Sequence, residues 1–213
     1  GDHANTLHWI RNDGELRPGD LLLLDAGVEV ESLYTADITR TLPVSGVFSP
    51  AQRRVYTAVL EAQQAGMDAA RPGAKFSDVH AAAVAVIARH LEEWGLLPVT
   101  SAASLDPVTG GHHRRWMVHG TSHHLGLDVH DCAQARADHY RDGVLQAGMV
   151  ITVEPGLYFK STDLLVPEEL RGIGVRIEDD IAITPTGAEV LSDHLPRDPD
   201  AVEAWIAGIW SRP

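Results

Sequence analysis

Asp25, Asp37, His123, Glu154 and Glu178 stand in the short motifs LLLLDAG, TADITRT, HGTSHHLGLDVHD, TVEPG and GVRIEDD. Four carboxylates and one imidazole make an oxygen-rich donor set with one nitrogen and no thiolate. That set suits a pair of divalent first-row cations. Two such ions about 3.5–4 Å apart can share a water, deprotonate it near neutral pH and clamp a tetrahedral intermediate. The chemistry these residues predict is dinuclear metal-assisted hydrolysis.

Strand parity says how they could meet. In GIGVRIEDDIAI, Ile173, Val175, Ile177 and Ile181 form an apolar face, and Arg176, Glu178 and Asp180 share the other. A chain reversal centred near Glu31 would set Asp25 directly opposite Asp37. Opposed carboxylates repel unless a proton or cation lies between them. Glu154 ends the apolar run MVITV and precedes Pro155-Gly156, so it projects where a strand breaks. His119 and His123 bracket GTS, His130 follows, and Arg176 is placed to orient the Glu178 carboxylate. Taken singly, DAG and EPG read as turns and a lone histidine as a core residue. HGTSHHLGLDVHD is far more specific, and the five motifs together carry the reading.

The elements that must position these groups alternate in the first half: strands at Thr6–Ile10, Asp20–Val30 and Tyr34–Pro43. A helix begins after Ser49-Pro50 and stops before Pro72-Gly73, and a second runs from Ser77 to Trp94. Residues 98–118 read as a loop, with His112–Arg115 a solvated basic stretch. Strands are predicted at Met117–His130, Met149–Tyr158 and Ile173–Thr184, and a last helix at Pro199–Trp210. The pattern predicts one α+β domain with a curved, mainly antiparallel sheet.

Composition narrows the function classes. The chain has 213 residues, 44% hydrophobic and 22% charged, enough for one real core. A net charge of −13 disfavours nucleic acid and anionic membranes as partners. Two divalent cations would cancel four of those charges and leave about −9. No apolar run approaches a membrane span. The single Cys132, read as a small buried residue, suits a reducing cytosol, and GDHANTLHW has no signal-peptide pattern. A cytoplasmic protein is expected.

The segments NTLHW, ADITRTLPVSG, HGTSHHLGLDVHD, EPGLYF and RGIGVRIEDD resemble the pita-bread metallopeptidase family, most closely its aminopeptidase P (Xaa-Pro aminopeptidase) branch. The resemblance runs from about His3 to Leu191. It implies that Asp25 binds one ion, Asp37 and Glu178 bridge both, and His123 and Glu154 complete the other shell. It implies manganese as the usual metal, with cobalt or zinc as substitutes. His8 would line the substrate pocket, and His119 and His130 would contact substrate and steady the oxyanion. Tyr158 and Arg176 would hold the ligands, and Glu154 would shuttle a proton. The implied reaction is attack of a metal-bridging hydroxide on the first peptide carbonyl of a substrate with proline second. A prolidase-type dipeptidase is the nearest alternative, methionine aminopeptidase shares the chemistry, and a silent binding module is the rival from another class. Relatives carry residues before NTLHW and a separate N-terminal domain, so a truncated catalytic domain that is poorly active or aggregation-prone is expected, homo-oligomeric when full-length. His124 reads as packing, or as a support to the ligands, beside His123.

Overall fold

A computed structural model describes residues 1–211. Its sheet grows from two long antiparallel pairings. β1 (Leu21–Glu29) and β2 (Thr35–Pro43) form the first hairpin, with Asp25 opposite Thr39 and Gly27 opposite Asp37. The reversal is therefore one residue later than the parity argument placed it. Its tip is closed by Leu33 N donating to Val30 O at 2.7 Å, with Leu33 at a φ of 68°. Asp25 and Asp37 become diagonal neighbours on one face instead of a directly opposed pair. Gly27 has no room for a Cβ against the Ala36 carbonyl, which accounts for the glycine of DAG.

The second pairing is one ladder broken in its middle. β3 (Val150–Val153) pairs with β6 (Asp179–Thr184), and β4 (Gly156–Phe159) pairs with β5 (Ile173–Arg176). Val153↔Asp179 and Gly156↔Arg176 belong to the same register, so continuing it across the gap sets Glu154 opposite Glu178. Pro155, which has no N–H, sits in that gap opposite Ile177. β7 (Gly187–Val190) extends β6 on its other edge. The expected strands over 149–158 and 173–184 are thus each cut at the acid that faces the site.

Two helices cover the sheet. α1 (Pro50–Ala69) starts in a capping box: Gln52 N donates to Ser49 Oγ and Ser49 N to Gln52 Oε1 at 2.9 Å. α2 (Phe76–Glu93) starts earlier than the Ser77 cap predicted, because the Asp78 carboxylate accepts from Lys75 N at 2.9 Å. Val55, Tyr56, Val59, Ala62, Ile87 and Leu91 pack with Leu157, Phe159, Val175 and Ile177 in the main core. A smaller core joins Phe76 and Val79 to Leu145, Ile151, Val153 and Ile181. A short α3 (Ser101–Ser104) precedes the site loop, and α4 (Pro199–Trp210) closes the described chain.

Other expectations fail for local reasons. Thr6–Ile10 is not a strand; a one-turn 3-10 helix at Asp2–Asn5 leads into an irregular segment folded on itself by His3–Trp9 stacking and a Trp9–Asp13 hydrogen bond. Met117–His130 is irregular, with one isolated bridge to β3 at His124↔Ile151 and backbone hydrogen bonds on either side of it. His112–Arg115 forms a 3-10 turn whose His113 is buried on Ser104. Cys132 is exposed, with φ 54°, so the buried reading was wrong. No helix of the described residues is long and apolar enough to cross a membrane.

Candidate metal centre

One cavity of about 310 Å³ collects the predicted groups. Asp25, Asp37, His119, His123, His130, Glu154, Arg176, Glu178 and His8 line it, together with Leu7, Ala133 and Tyr140. Tyr158 does not reach the cavity wall; it lies behind His119 and Arg176. Asp37, His123 and Glu178 each turn one donor atom to within 4.8 Å of the others. His123 Nε2 is 3.5 Å from Asp37 Oδ2, 3.7 Å from Glu154 Oε1 and 4.0 Å from Glu178 Oε1. The imidazole therefore sits among three carboxylates contributed by β2 and by both edges of the broken ladder.

Each acid is placed by its backbone. Glu154 N donates to Thr121 O at 2.7 Å, and Thr152 N donates to His123 O at 2.9 Å, so the histidine loop runs alongside β3. Glu178 N donates to Thr39 O at 3.1 Å, which ties the ladder gap to β2. Thr39 Oγ1 then donates to Glu178 Oε2 at 2.6 Å. Arg176 is 1% exposed; it donates to Asp25 Oδ2 at 2.7 Å, Thr39 Oγ1 at 3.2 Å and Tyr158 Oη at 3.0 Å. Gly156 leaves room for that Tyr158 hydroxyl, which a Cβ would meet at 2.5 Å.

The electrostatics are those of crowded acids. Burial, then the Glu178 charge, pushes the Glu154 carboxyl well above its usual range. Burial and Asp37 push Glu178 up to about 8. Burial raises Asp25 despite the Arg176 guanidinium. Burial also works upward on Asp37, yet the His123 ring and neighbouring donors hold it below the ordinary range. His123 is raised in turn: burial lowers it, and Asp37 and Glu154 outweigh that. Burial pushes Asp180, whose carboxylate accepts from Asp37 N at 3.2 Å, up to about 6.

His119 is a different kind of group. Its Nδ1 meets the Gly120 carbonyl at 2.6 Å, and a carbonyl only accepts, so Nδ1 carries the proton. Nε2 then accepts from the Tyr158 hydroxyl at 2.6 Å. Burial pulls the ring down to about 4, so it is neutral at neutral pH. His130 packs edge-on against His123 at 4.4 Å between ring centroids. His124 does not line the cavity; it stacks on Phe76 and meets Tyr140 edge-on, a packing role.

Sequence reasoning passed over Thr39, Thr121, Tyr140 and Asp179. Thr39 had a usable signal: it shares the strand face of Asp37 two residues away. Thr121 and Tyr140 reach the site from irregular segments, where no periodicity marks them.

The comparisons place this arrangement among known proteins. Xaa-Pro aminopeptidase 1 of Streptomyces coelicolor is 59% identical over 211 residues, which are 98% of this chain and 42% of that protein. Xaa-Pro aminopeptidase of Escherichia coli is 43% identical over 205 residues, 96% of this chain and 45% of that protein. The solved structure of a histidine-to-alanine variant of Escherichia coli aminopeptidase P superposes with a TM-score of 0.92 at 40% identity, covering 100% of this chain and 47% of that one. A zinc-substituted form of the same enzyme in complex with product gives 0.90 at 41% identity, covering 98% and 46%. The chain therefore spans less than half the length of these relatives. Residues 1–185 match metallopeptidase family M24, and with the broken ladder, the carboxylate cavity and these relatives in view, the chain belongs to that family and has its pita-bread fold.

Proposed function

We propose that this chain carries the catalytic centre of a dinuclear-metal Xaa-Pro aminopeptidase. The observation that carries the reading is half-buried Glu154 set opposite buried Glu178, with Asp37 and His123 aimed at the same point. Acids held this close are stable only with protons or cations between them. The donor set therefore fits divalent cations. Asp25 would hold one ion, Asp37 and Glu178 both, and His123 and Glu154 the other; manganese suits so hard a set, with cobalt or zinc able to replace it. Bound cations supply Lewis acidity toward the peptide carbonyl and acidify a water.

The chain's own groups do the rest. Glu154 takes the proton of the attacking water on a carboxylate oxygen. The hydroxyl adds to the carbonyl carbon of the first residue, and the carbon–nitrogen bond to proline breaks as Glu154 returns the proton to the proline nitrogen. His119 touches Glu154, Nδ1 to Oε2 at 3.8 Å, and its Tyr158 contact fixes the ring plane. His130 flanks the place where the oxyanion develops and can donate to it. His8, reaching the cavity with Leu7 from the irregular N-terminal segment, faces it from another wall. Arg176 keeps Asp25 and Tyr158 in place. A single exposed cysteine supports a cytoplasmic setting. The relatives support a peptide substrate with proline second; a homo-oligomer is part of the same reading.

The test is manganese-dependent release of arginine from an Arg-Pro-Pro peptide beside Arg-Ala-Pro. Cleavage before proline alone is expected. Cleavage confined to dipeptides would replace the reading by a prolidase, and bound metal with no cleavage of either substrate would defeat it.

A further inference from the structure

TADITRT and GVRIEDD contain charged residues that the chemistry above does not use, Arg40 and Asp179 among them. Arg40 is 6% exposed and Asp179 is 0% exposed. The Arg40 guanidinium lies directly behind the metal centre, with all of its N–H groups engaged. Nε donates to Pro196 O at 3.0 Å, Nη1 to Thr39 O at 3.0 Å and Glu178 O at 2.7 Å. Nη2 donates to Asp179 Oδ1 at 2.7 Å and Leu195 O at 3.2 Å. That uses the five donors a guanidinium possesses.

The two carbonyls that Nη1 grips belong to the residues that share the short bond in the site, Thr39 Oγ1 to Glu178 Oε2. Glu178 sits in the ladder gap. Its N–H reaches Thr39 O, but among the described residues it is the Arg40 side chain, not a backbone N–H, that meets its own carbonyl. Asp179 in turn fixes Arg40 while accepting from Gln63 Nε2 at 2.8 Å and Ser192 Oγ at 2.5 Å. With Oε2 taken by Thr39, Glu178 Oε1 is the oxygen left facing His123.

We propose that Arg40, anchored by Asp179, is a positioning residue for the metal centre: it locks the Thr39–Glu178 pair and so sets the direction of Glu178 Oε1. The proposal rests on the metallopeptidase reading. A lysine at this position keeps the charge but loses the planar guanidinium that lets Nη2 hold Asp179 and Nε hold Pro196 O while Nη1 meets the carbonyls of Thr39 and Glu178. Changes to groups that orient ligands typically cost 10–100-fold in metal affinity.

The experiment is a double-mutant cycle on manganese affinity, with Arg40→Lys, Thr39→Val and the double variant titrated calorimetrically. Thermal unfolding in chelator is followed for each. Each single change should weaken binding about 10–100-fold, and the double should be no weaker than the worse single. Losses that multiply in the double variant, or a lower melting temperature for Arg40→Lys with affinity unchanged, would overturn the proposal and leave Arg40 a scaffold residue. If Arg40→Lys does not fold, Asp179→Asn takes its place in the same cycle. Absence of manganese binding by the unaltered protein would instead defeat the metal-centre reading, and the proposal with it.

Discussion

Glu178 and Asp179 are neighbours in the chain and almost equally hidden from water, at 2% and 0% exposure, yet their surroundings are opposite. Asp179 faces α1 and the loop before α4, where Arg40, Arg197, Gln63 and Ser192 converge on it. Glu178 faces the cavity, where Asp37, Glu154 and Asp25 crowd it and Thr39 donates the hydrogen bond. Burial alone therefore does not mark a functional acid. What separates the two is completeness: the Asp179 cluster balances its charge within the protein, and the Glu178 cluster leaves a surplus of negative charge for something else to balance. Strand alternation, which sends successive side chains to opposite faces, is how one backbone serves both.

The comparison can be broken from either side. Glu154→Gln keeps the shape of the cavity and removes the proton carrier, so turnover should fall by about 10²–10⁴-fold while near-ultraviolet dichroism is retained. Turnover within threefold of the parent would remove Glu154 from the chemistry. On the other side, Asp179→Ala strands two guanidinium groups and should cost about 3–5 kcal/mol in denaturant unfolding. A loss below about 1 kcal/mol would mean that its neighbours re-pair without it.

A pH series sharpens the contrast. The fold raises Glu178 from its ordinary 4.5 up to about 8, through burial and Asp37, so it favours the protonated acid. That contribution to stability is present below pH 4.5 and is lost as pH rises toward about 8. In chelator the melting temperature should thus decline across that window, and manganese should reverse the decline by binding the folded state. Calorimetry in buffers of different ionisation enthalpy should also register protons released on metal binding. A flat profile in chelator would show that the cavity acids are balanced by the protein after all. The smallest effect is expected at Ser192→Ala, which removes one neutral donor from Asp179 and should cost about 1 kcal/mol in the same unfolding measurement.

How far the sequence could be read depended on the kind of signal. Ser49-Pro50 fixed the start of α1 because a capping box is local chemistry. The Asp25–Asp37 opposition failed by two register positions, since a hairpin's register depends on its turn, here carrying a left-handed Leu33. The pair that is opposed, Glu154 with Glu178, lies in the ladder gap beside the β4–β5 pairing, and that pairing joins segments distant in sequence. The Met117–His130 motif was legible as chemistry and illegible as structure: its histidines are spaced for contacts with β3 and Tyr158, not for a strand.

By itself, then, the sequence determined the donor types and their order, the two long helices and the α+β class, because these follow from side-chain chemistry and short-range patterning. The tertiary structure alone decided which acids confront each other, that Arg40 and Asp179 stand behind Glu178, and that His119 is neutral against Tyr158. Those outcomes hang on the register of strands distant in sequence and on how deeply each group is withdrawn from water. Neither quantity is encoded in any one segment.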